Sequence, residues 1–232
     1  MSRRAIVTGG ASGIGAALVA RLRHEGFAVE SLDLVSGFDV SDPTHWGRVG
    51  PVEVACLNAG VIGGAADPTD LQLDDLRRAF AVNVDGVVLG VRRLARVMPL
   101  GGRIVCTASL AGLTAVPDDP IYAATKHAVV GFVRSVAPAL EARGISINAI
   151  CPGFADTPMV AGAAREHLER AGFPLLPADD VAEAAWIALT SGETGHAWVV
   201  QPGRPPLEFR FPTLPGPRRA DEPVGPPPPL RG

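Results

Sequence analysis

Tyrosine and lysine are almost absent from this chain of 232 residues. It contains one tyrosine and one lysine, so arginine supplies nearly all of its 21 basic side chains. The formal net charge is -3 and no basic tract interrupts the sequence, which argues against the clustered positive surface that nucleic acids or acidic membranes require. We therefore expect neither nucleic acid nor a membrane as a partner.

Cysteine is scarce as well, and long apolar runs are missing. Cys56, Cys106 and Cys151 form an odd set without the spacing of a zinc site or of a disulfide framework, so we expect three reduced thiols. No run of about eighteen apolar residues follows the first predicted strand, and no charged and then apolar leader precedes it. A soluble, cytoplasmic protein is expected.

Short buried runs alternate with longer helical patterns, which is typical of a parallel sheet covered by helices. We predict one α/β domain over residues 1–203, a Rossmann-like doubly wound parallel sheet with helices on both faces. Residues 204–232 are rich in proline, which lacks the backbone donor that helices and sheets use, so they are predicted to form a tail. The predicted strands are Arg4–Thr8, Ala28–Leu32, Val54–Leu57, Gly102–Thr107, Ser146–Ile150 and Ala197–Gln201, and the predicted helices begin near Gly13, Asp70, Tyr122 and Ala178.

Glycine is concentrated in the stretch "AIVTGGASGIG" between the first predicted strand and the first helix. Thr8, Gly9, Gly13 and Gly15 form a T-G-x-x-x-G-x-G turn. Glycines at such a turn let the backbone approach a pyrophosphate and leave the helix N-terminus free to donate N–H groups to it. An ordinary glycine turn is the alternative, and the position directly after a buried strand favours a dinucleotide site.

The side chain that selects the cofactor is expected at the end of the second strand. Asp33 lies there, in "VESLDL", where a carboxylate can accept hydrogen bonds from a ribose 2′-hydroxyl and would repel a 2′-phosphate. No arginine or lysine occupies the glycine turn or directly follows Asp33, so the sequence favours NAD over NADP. A surface carboxylate at a strand end is the alternative.

The lone tyrosine and the lone lysine stand four residues apart in "IYAATKHAV". Tyr122 and Lys126 therefore lie on one face of the predicted helix. An adjacent ammonium stabilises a phenolate and lowers the pKa of the phenol, so we expect Lys126 to make Tyr122 a usable acid or base. Ser109 follows a buried strand and could hold a substrate oxygen beside Tyr122, or it could be an ordinary loop serine.

Asparagine is nearly as rare, with three residues that each lie next to a strand or a helix end. Asn58, Asn83 and Asn148 are not scattered over loops, where asparagine usually serves turns. We therefore predict that all three asparagines take part in the chemistry of the protein.

These motifs resemble, in order and spacing, those of the short-chain dehydrogenase/reductase family, from about Arg3 to Gly203. The matching elements are the glycine turn, the acidic residue in "FDV", the N-A-G element, the helix asparagine, the serine, the Y-x-x-x-K pair and "INAICPGFADTPM". The resemblance implies a catalytic set of Asn83, Ser109, Tyr122 and Lys126. It implies cofactor contacts from Thr8, Gly9, Ser12, Gly13, Ile14, Gly15, Asp33, Asp39, Val40, Asn58, Ala59, Gly60, Tyr122, Lys126, Pro152, Gly153 and Thr157.

The roles follow from the same resemblance. Tyr122 would be the acid/base, Ser109 would orient the reacting oxygen, Lys126 would bind the nicotinamide ribose, and Asn83 would hold the geometry of a proton relay. Pro152 and Gly153 would shape the nicotinamide side, with Thr157 at the carboxamide.

The implied activity is hydride transfer between NAD and a secondary alcohol or ketone, without a metal. An NADP-dependent reductase of the same family and a non-catalytic dinucleotide-sensing protein are the alternatives. The resemblance also implies a homotetramer or a homodimer. An apolar small-molecule substrate is suggested by several side chains, each of which could equally well belong to the core: Leu110, Leu113, Val116, Phe154 and Met159.

Overall fold

The computed structural model describes residues 3–219 and 222–223 and shows a central sheet between two layers of helices. Its strands are β1 (Arg4–Thr8), β2 (Ala28–Leu32), β3 (Val54–Leu57), β4 (Arg103–Thr107), β5 (Ser146–Pro152), β6 (Ala197–Val200), β7 (Leu207–Glu208), β8 (Arg218–Arg219) and β9 (Glu222–Pro223). Its helices are α1 (Gly13–His24), α2 (Pro43–Trp46), α3 (Leu73–Phe80), α4 (Gly86–Val97), α5 (Pro120–Glu141), α6 (Gly162–Arg170) and α7 (Ala178–Thr190).

The main sheet has the strand order β2-β1-β3-β4-β5-β6-β7. Strands β1 to β6 run parallel, and β7 pairs antiparallel with β6 at the edge. The predicted doubly wound sheet is therefore confirmed. Each predicted strand overlaps an observed one, and the largest difference is in β5, which continues to Pro152 instead of ending at Ile150.

The alternation of side chains along the strands sends apolar groups to both faces of the sheet. In β1, Ala5 and Val7 join a buried cluster with α1 and α7, whereas Ile6 joins the cluster formed with α4 and α5. All three side chains are buried, as expected for a parallel strand covered on both sides. The helices thus cover both faces of the sheet, and the loops lie at the carboxyl ends of its strands.

Three helices were not predicted from the sequence. Helix α4 follows α3 through a π-helical turn at Ala81–Asp85, which adds a residue to the helical repeat and shifts the phase of the apolar pattern. Helix α2 spans one turn only, and α6 buries a single side chain, Leu168, so neither has a strong apolar period.

The first residues of the proline-rich segment 204–232 pair with the edge of the main sheet. Leu207–Glu208 form the edge strand β7, and beyond it Phe209 and Phe211 pack against the α5 side of the core. Pro205 and Pro206 come before β7, so their missing N–H groups do not interrupt the pairing. Residues 212–217 are exposed. The division at 203 remains a prediction, and the proline run at 226–229 lies outside the described residues.

The carboxyl ends of the parallel strands meet at one edge of the sheet, which is where ligands bind in open α/β folds. The predicted site residues follow β1, β2, β3, β4 and β5 and therefore share this edge. Within the part of the chain that the structure describes, no helix has the length and apolarity to cross a bilayer.

Candidate active site

The turn between β1 and α1 is tied to two neighbouring strands. Thr8 ends β1, and its Oγ1 accepts hydrogen bonds from the backbone N–H groups of Asn58, at 2.8 Å, and Ala59, at 3.1 Å. The Asn58 amide donates to the Thr8 carbonyl at 3.2 Å, and the Thr107 hydroxyl donates to Asn58 Oδ1 at 3.1 Å. Asn58 therefore joins the ends of β1, β3 and β4.

The geometry of this turn requires its glycines. Gly13 has a φ of +50°, which favours glycine, and a Cβ at Gly9 would lie 2.9 Å from the Ala59 Cα. A Cβ at Gly15 would overlap the Gly9 carbonyl oxygen. The glycine turn leads into the start of α1, whose first N–H groups have no partner within the helix. Side chains at Gly9 and Gly15 would strike neighbouring backbone, so only glycine permits this tight turn, and the free N–H groups at the start of α1 fit a dinucleotide pyrophosphate.

Ser12 and Ile14 have different environments within the same turn. Ser12 is the N-cap residue of α1, and its side chain makes no capping hydrogen bond. Its hydroxyl is therefore not committed to the helix. The Ile14 side chain packs against the buried cluster formed with α1 and α7 and thereby attaches the turn to the core.

Asp33 directly follows β2, as predicted, and contacts the glycine turn. Its Oδ2 accepts a hydrogen bond from the Ala11 N–H at 3.0 Å, and its Oδ1 accepts one from the Val35 N–H at 3.2 Å. The carboxylate is thus anchored between the end of β2 and the turn after β1.

Asp39 and Val40 lie further along the same loop and are engaged locally. Asp39 Oδ1 accepts hydrogen bonds from the N–H of Ser41 at 2.8 Å and from its hydroxyl at 2.7 Å. Val40 is buried, and a Cβ at Gly86 would lie 2.8 Å from its Cγ2, so the start of α4 packs directly on it. Both residues fix the loop that follows β2.

The π-helical turn between α3 and α4 carries Asn83, which is fully buried. Asn83 Oδ1 accepts a hydrogen bond from the Val61 N–H at 2.8 Å, and its Nδ2 donates to the Val61 carbonyl at 2.9 Å. Nδ2 also donates to Thr125 Oγ1 at 3.0 Å, and the Thr125 hydroxyl donates to the Tyr122 carbonyl at 2.8 Å. Asn83 therefore connects the loop after β3 to α5, and sequence reasoning missed the part that Thr125 plays in this connection.

Tyr122 and Lys126 lie in the first turns of α5, on one face, as predicted. Lys126 is 3% exposed, its Nζ donates to the Thr107 carbonyl at 3.0 Å, and the same Nζ lies 5.3 Å from the centroid of the Tyr122 ring. Gly60 borders this pair, because a Cβ there would lie 3.4 Å from Lys126 Nζ. The lone tyrosine and the lone lysine thus meet beside the N-A-G element.

The pKa of Tyr122 lies above its ordinary value, so burial and not the predicted effect of Lys126 decides its direction. Burial raises the pKa of Tyr122 to about 12, the nearby Ser109 hydroxyl acts in the opposite direction, and the negative charge of Asp119 raises the pKa further. Burial also lowers the pKa of Lys126 to about 8. Loss of hydration is the largest cause of both shifts, because both groups are withdrawn from water.

Ser109 lies at the end of β4 and caps the 3-10 turn Leu110–Gly112. Its Oγ accepts a hydrogen bond from the Ala111 N–H at 3.1 Å, and the hydroxyl donates to the Pro152 carbonyl at 3.4 Å. The long distance to Pro152 leaves this donor weakly held. Ser109 therefore joins β4 to β5 and has a hydroxyl that can be redirected to another acceptor.

The segment after β5 approaches the glycine turn from the other side. Gly153 lies beside the end of β6, because a Cβ there would lie 2.7 Å from Gln201 Oε1. Thr157 packs against the glycine turn, since a Cβ at Gly13 would lie 3.0 Å from the Thr157 Cγ2. Thr157 thus brings the segment that follows Pro152 and Gly153 against the glycine turn.

The candidate apolar residues divide into two groups. Leu110 and Leu113 pack against the core, whereas Phe154 and Met159 are 51% and 46% exposed after β5. Phe173, which sequence reasoning missed, meets Phe154 edge to face with centroids 5.8 Å apart. An exposed apolar patch of this kind is typical of a ligand or partner surface.

Asn148 does not belong to the site, which corrects the interpretation that all three asparagines serve chemistry. Its Nδ2 donates to the carbonyls of Ala188, at 3.1 Å, and Glu193, at 2.8 Å, and its Oδ1 accepts from the His196 N–H at 2.9 Å. Asn148 thus fastens the loop after α7 to β5 and is a structural residue.

Residues 44–200 match a family model described as enoyl-(acyl carrier protein) reductase. The chain is also similar to 1-deoxy-11-beta-hydroxypentalenate dehydrogenase from Streptomyces avermitilis, with 32% identity over 219 residues that cover 81% of each chain.

Solved structures show the same similarity. A small-chain dehydrogenase in complex with NADPH has a TM-score of 0.79 and 26% identity, covering 86% of this chain and 97% of that one. A 3-ketoacyl-(acyl-carrier-protein) reductase from Brucella melitensis complexed with NADH has a TM-score of 0.74 and 26% identity, covering 87% and 98%. Similar structures thus include complexes with either nicotinamide cofactor.

Proposed function

Because the chain belongs to the short-chain dehydrogenase/reductase family, and is an oxidoreductase that uses a nicotinamide dinucleotide, we propose that it transfers a hydride between NAD and an apolar secondary alcohol or ketone. The observation that carries the proposal is the meeting of Ser109, Tyr122 and Lys126 at the carboxyl edge of the sheet, next to the glycine turn. These groups can hold a reacting oxygen and exchange one proton with it.

The cofactor would lie along the glycine turn. Gly9, Gly13 and Gly15 permit the tight turn into α1, whose first N–H groups would donate to the pyrophosphate. Asp33 supports the choice of NAD, because its anchored carboxylate can accept from ribose hydroxyls and would repel a 2′-phosphate. Lys126 would donate to the ribose next to the nicotinamide. When bound, the nicotinamide ring supplies the hydride acceptor or donor.

The residues of the chain manage the proton and the orientation of the substrate. The Ser109 hydroxyl would turn from the Pro152 carbonyl to the substrate oxygen, which its long hydrogen bond permits. Tyr122 would exchange a proton with the same oxygen. Its raised pKa favours the protonated phenol, which suits donation to a ketone. Asn83 would hold α5 and the loop after β3 in fixed positions during the proton transfer.

The apolar side chains after β5 support the substrate class. Phe154 and Phe173, which are in contact, and Met159 expose apolar surface in the segment after β5, so a hydrophobic alcohol bound there would bury area that is now open to water. The relative named for a hydroxypentalenate is a dehydrogenase of a hydroxylated substrate, in agreement with this class.

The second candidate is an NADP-dependent ketoreductase, which the similar structure with NADPH favours. A cytoplasmic homo-oligomer is proposed as the working form. All three cysteines are free and buried, which suits a reducing compartment, and the assembly is proposed from the family alone.

The test is a panel of cyclic and open-chain secondary alcohols and the matching ketones, each supplied with NAD(H) and NADP(H). We expect turnover with apolar substrates and a higher kcat/KM for NAD(H). Ser109→Ala is the control, since it removes the proposed donor to the substrate and leaves the cofactor cradle intact. Absence of turnover with every pair in a protein that binds NADH would contradict the proposal.

A further inference from the structure

Two helices of the protein begin with the same Asp-Pro pair, and the two aspartates are used differently. Asp42 precedes α2, and its Oδ1 accepts from the Thr44 N–H and hydroxyl, both at 2.7 Å. Asp119 precedes α5, and its Oδ1 accepts from the Tyr122 N–H at 2.9 Å. Its Oδ2 accepts from the Gly63 N–H at 2.8 Å, across 56 residues of sequence. Asp42 completes its bonds within one turn, whereas Asp119 links α5 to a distant loop.

The loop that Asp119 holds lies directly against the first turn of α5. A Cβ at Gly63 would collide with Asp119 Oδ1 and lie 2.5 Å from the Tyr122 backbone nitrogen. Two residues earlier, Asn83 holds both backbone groups of Val61. The loop after the N-A-G element is therefore fastened at Val61 to the π-helical turn and at Gly63 to α5.

We propose that Asp119 is a positioning residue for Tyr122, because one carboxylate fixes the Tyr122 backbone and the loop beside it at the same time. The proposal rests on the proton-transfer role proposed for Tyr122. A reacting group displaced by about 1 Å can lose about a hundredfold in rate, so loss of this link acts on kcat.

Asp119 also contributes charge at the same point. The groups that face Tyr122 are Ser109 and Lys126, the Cys151 thiol from β5 and the Asp119 carboxylate. Only Asp119 brings a negative charge at neutral pH, since burial raises the pKa of the Cys151 thiol to about 12. Removing this charge lowers the pKa of Tyr122 and favours the phenolate. Simple loss of a helix cap has no such effect.

The test compares Asp119→Asn with Asp42→Asn. Asparagine caps helices about as well as aspartate, so both variants keep the cap and both lose a carboxylate charge. Only Asp119→Asn loses that charge beside Tyr122 and, with it, the second carboxylate oxygen that accepts from the distant Gly63 N–H. Each variant is assayed for kcat and KM with a substrate found in the panel above. Tyrosinate absorbance is read within milliseconds of a jump to about pH 11, before unfolding. Tyr122 is the only tyrosine in the chain, so the signal has one source.

For Asp119→Asn we expect kcat to fall at least about tenfold, with the cofactor KM within about threefold of wild type. We expect the tyrosinate fraction to increase from about 10% in wild type, the value for a pKa of about 12. Asp42→Asn should change neither quantity. The proposal is overturned if kcat of the two variants agrees within about twofold, or if the tyrosinate fraction stays at the wild-type value.

Asp119→Ser provides the second variant, since serine caps a helix but is too short to reach Gly63 as well. If neither Asp119 variant folds, Asp119 is a folding residue and the proposal is wrong. Tyr122→Phe is measured in parallel. If it keeps wild-type activity, the role of Tyr122 fails and the proposal fails with it. If it is inactive while Asp119→Asn is normal, only the proposal for Asp119 fails.

Discussion

Replacing Lys126 with arginine separates the need for a positive charge from the need for a lysine. The Lys126 ammonium is buried against the Thr107 carbonyl and has Gly60 beside it. A guanidinium is larger and planar, and it cannot occupy this point without displacing its neighbours. We expect Lys126→Arg to lower kcat/KM at least about thirtyfold, which is about 2 kcal/mol of transition-state stabilisation, and to weaken cofactor binding.

The buried ammonium also affects stability. Burial lowers the pKa of Lys126 from 10.5 to about 8, so the charged form costs roughly 3 kcal/mol relative to the neutral amine. Between about pH 8 and the unfolded pKa of 10.5, the unfolded state binds more protons than the folded state. The free energy of unfolding therefore increases with pH across this window, and the cost is fully present below about pH 8. Arginine stays protonated throughout, so Lys126→Arg lacks this increase.

The assay combines steady-state kinetics, cofactor titration and urea unfolding at about pH 8 and about pH 10. Lys126→Met is the matched control, because it keeps the length of the side chain and removes the charge. It should be inactive and at least as stable as wild type at neutral pH. Activity of Lys126→Arg within about threefold of wild type would show that any cation suffices. Equal pH dependence of unfolding in the arginine variant and the wild type would refute the buried-ammonium argument.

Two further predictions concern the cofactor and the chain end. Asp33→Ala should weaken the preference for NAD, because it removes both an acceptor for ribose hydroxyls and the repulsion of a 2′-phosphate; an unchanged ratio of kcat/KM for NAD and NADP would exclude Asp33 from the cofactor site. Deletion of residues 213–232 should leave thermal unfolding unchanged, whereas deletion of 204–232 also removes Phe209 and Phe211 from the core and should cost about 2–4 kcal/mol. Equal loss of stability in both deletions would contradict this account of the chain end.

Local patterns were sufficient for the parts of the site that lie within one strand, turn or helix. The turn after β1 and the pair Tyr122 and Lys126 could be predicted because strand burial, glycine spacing and the i, i+4 geometry are local properties. The order of the elements then brought these parts to one edge, because parallel strands place their carboxyl ends together.

The properties that the sequence did not reveal depend on contacts between distant segments. The direction of the Tyr122 pKa shift is set mainly by burial, which spacing to Lys126 does not indicate. The link from Asp119 to Gly63 spans 56 residues, although the Asp-Pro pair before α5 is a recognisable helix start. Asn148 had the same rarity as Asn83 but serves the fold, so scarcity alone does not identify chemistry.

The central claim is that Tyr122 exchanges the proton during hydride transfer. The most direct test is the rate of reduced nicotinamide formation by Tyr122→Phe, with an alcohol that the wild-type protein oxidises and with cofactor binding measured on the same sample. Phenylalanine keeps the ring and its packing and removes the ionisable hydroxyl, so turnover should fall at least about a hundredfold while cofactor binding persists. Oxidation of the alcohol at a rate near that of wild type would contradict the claim.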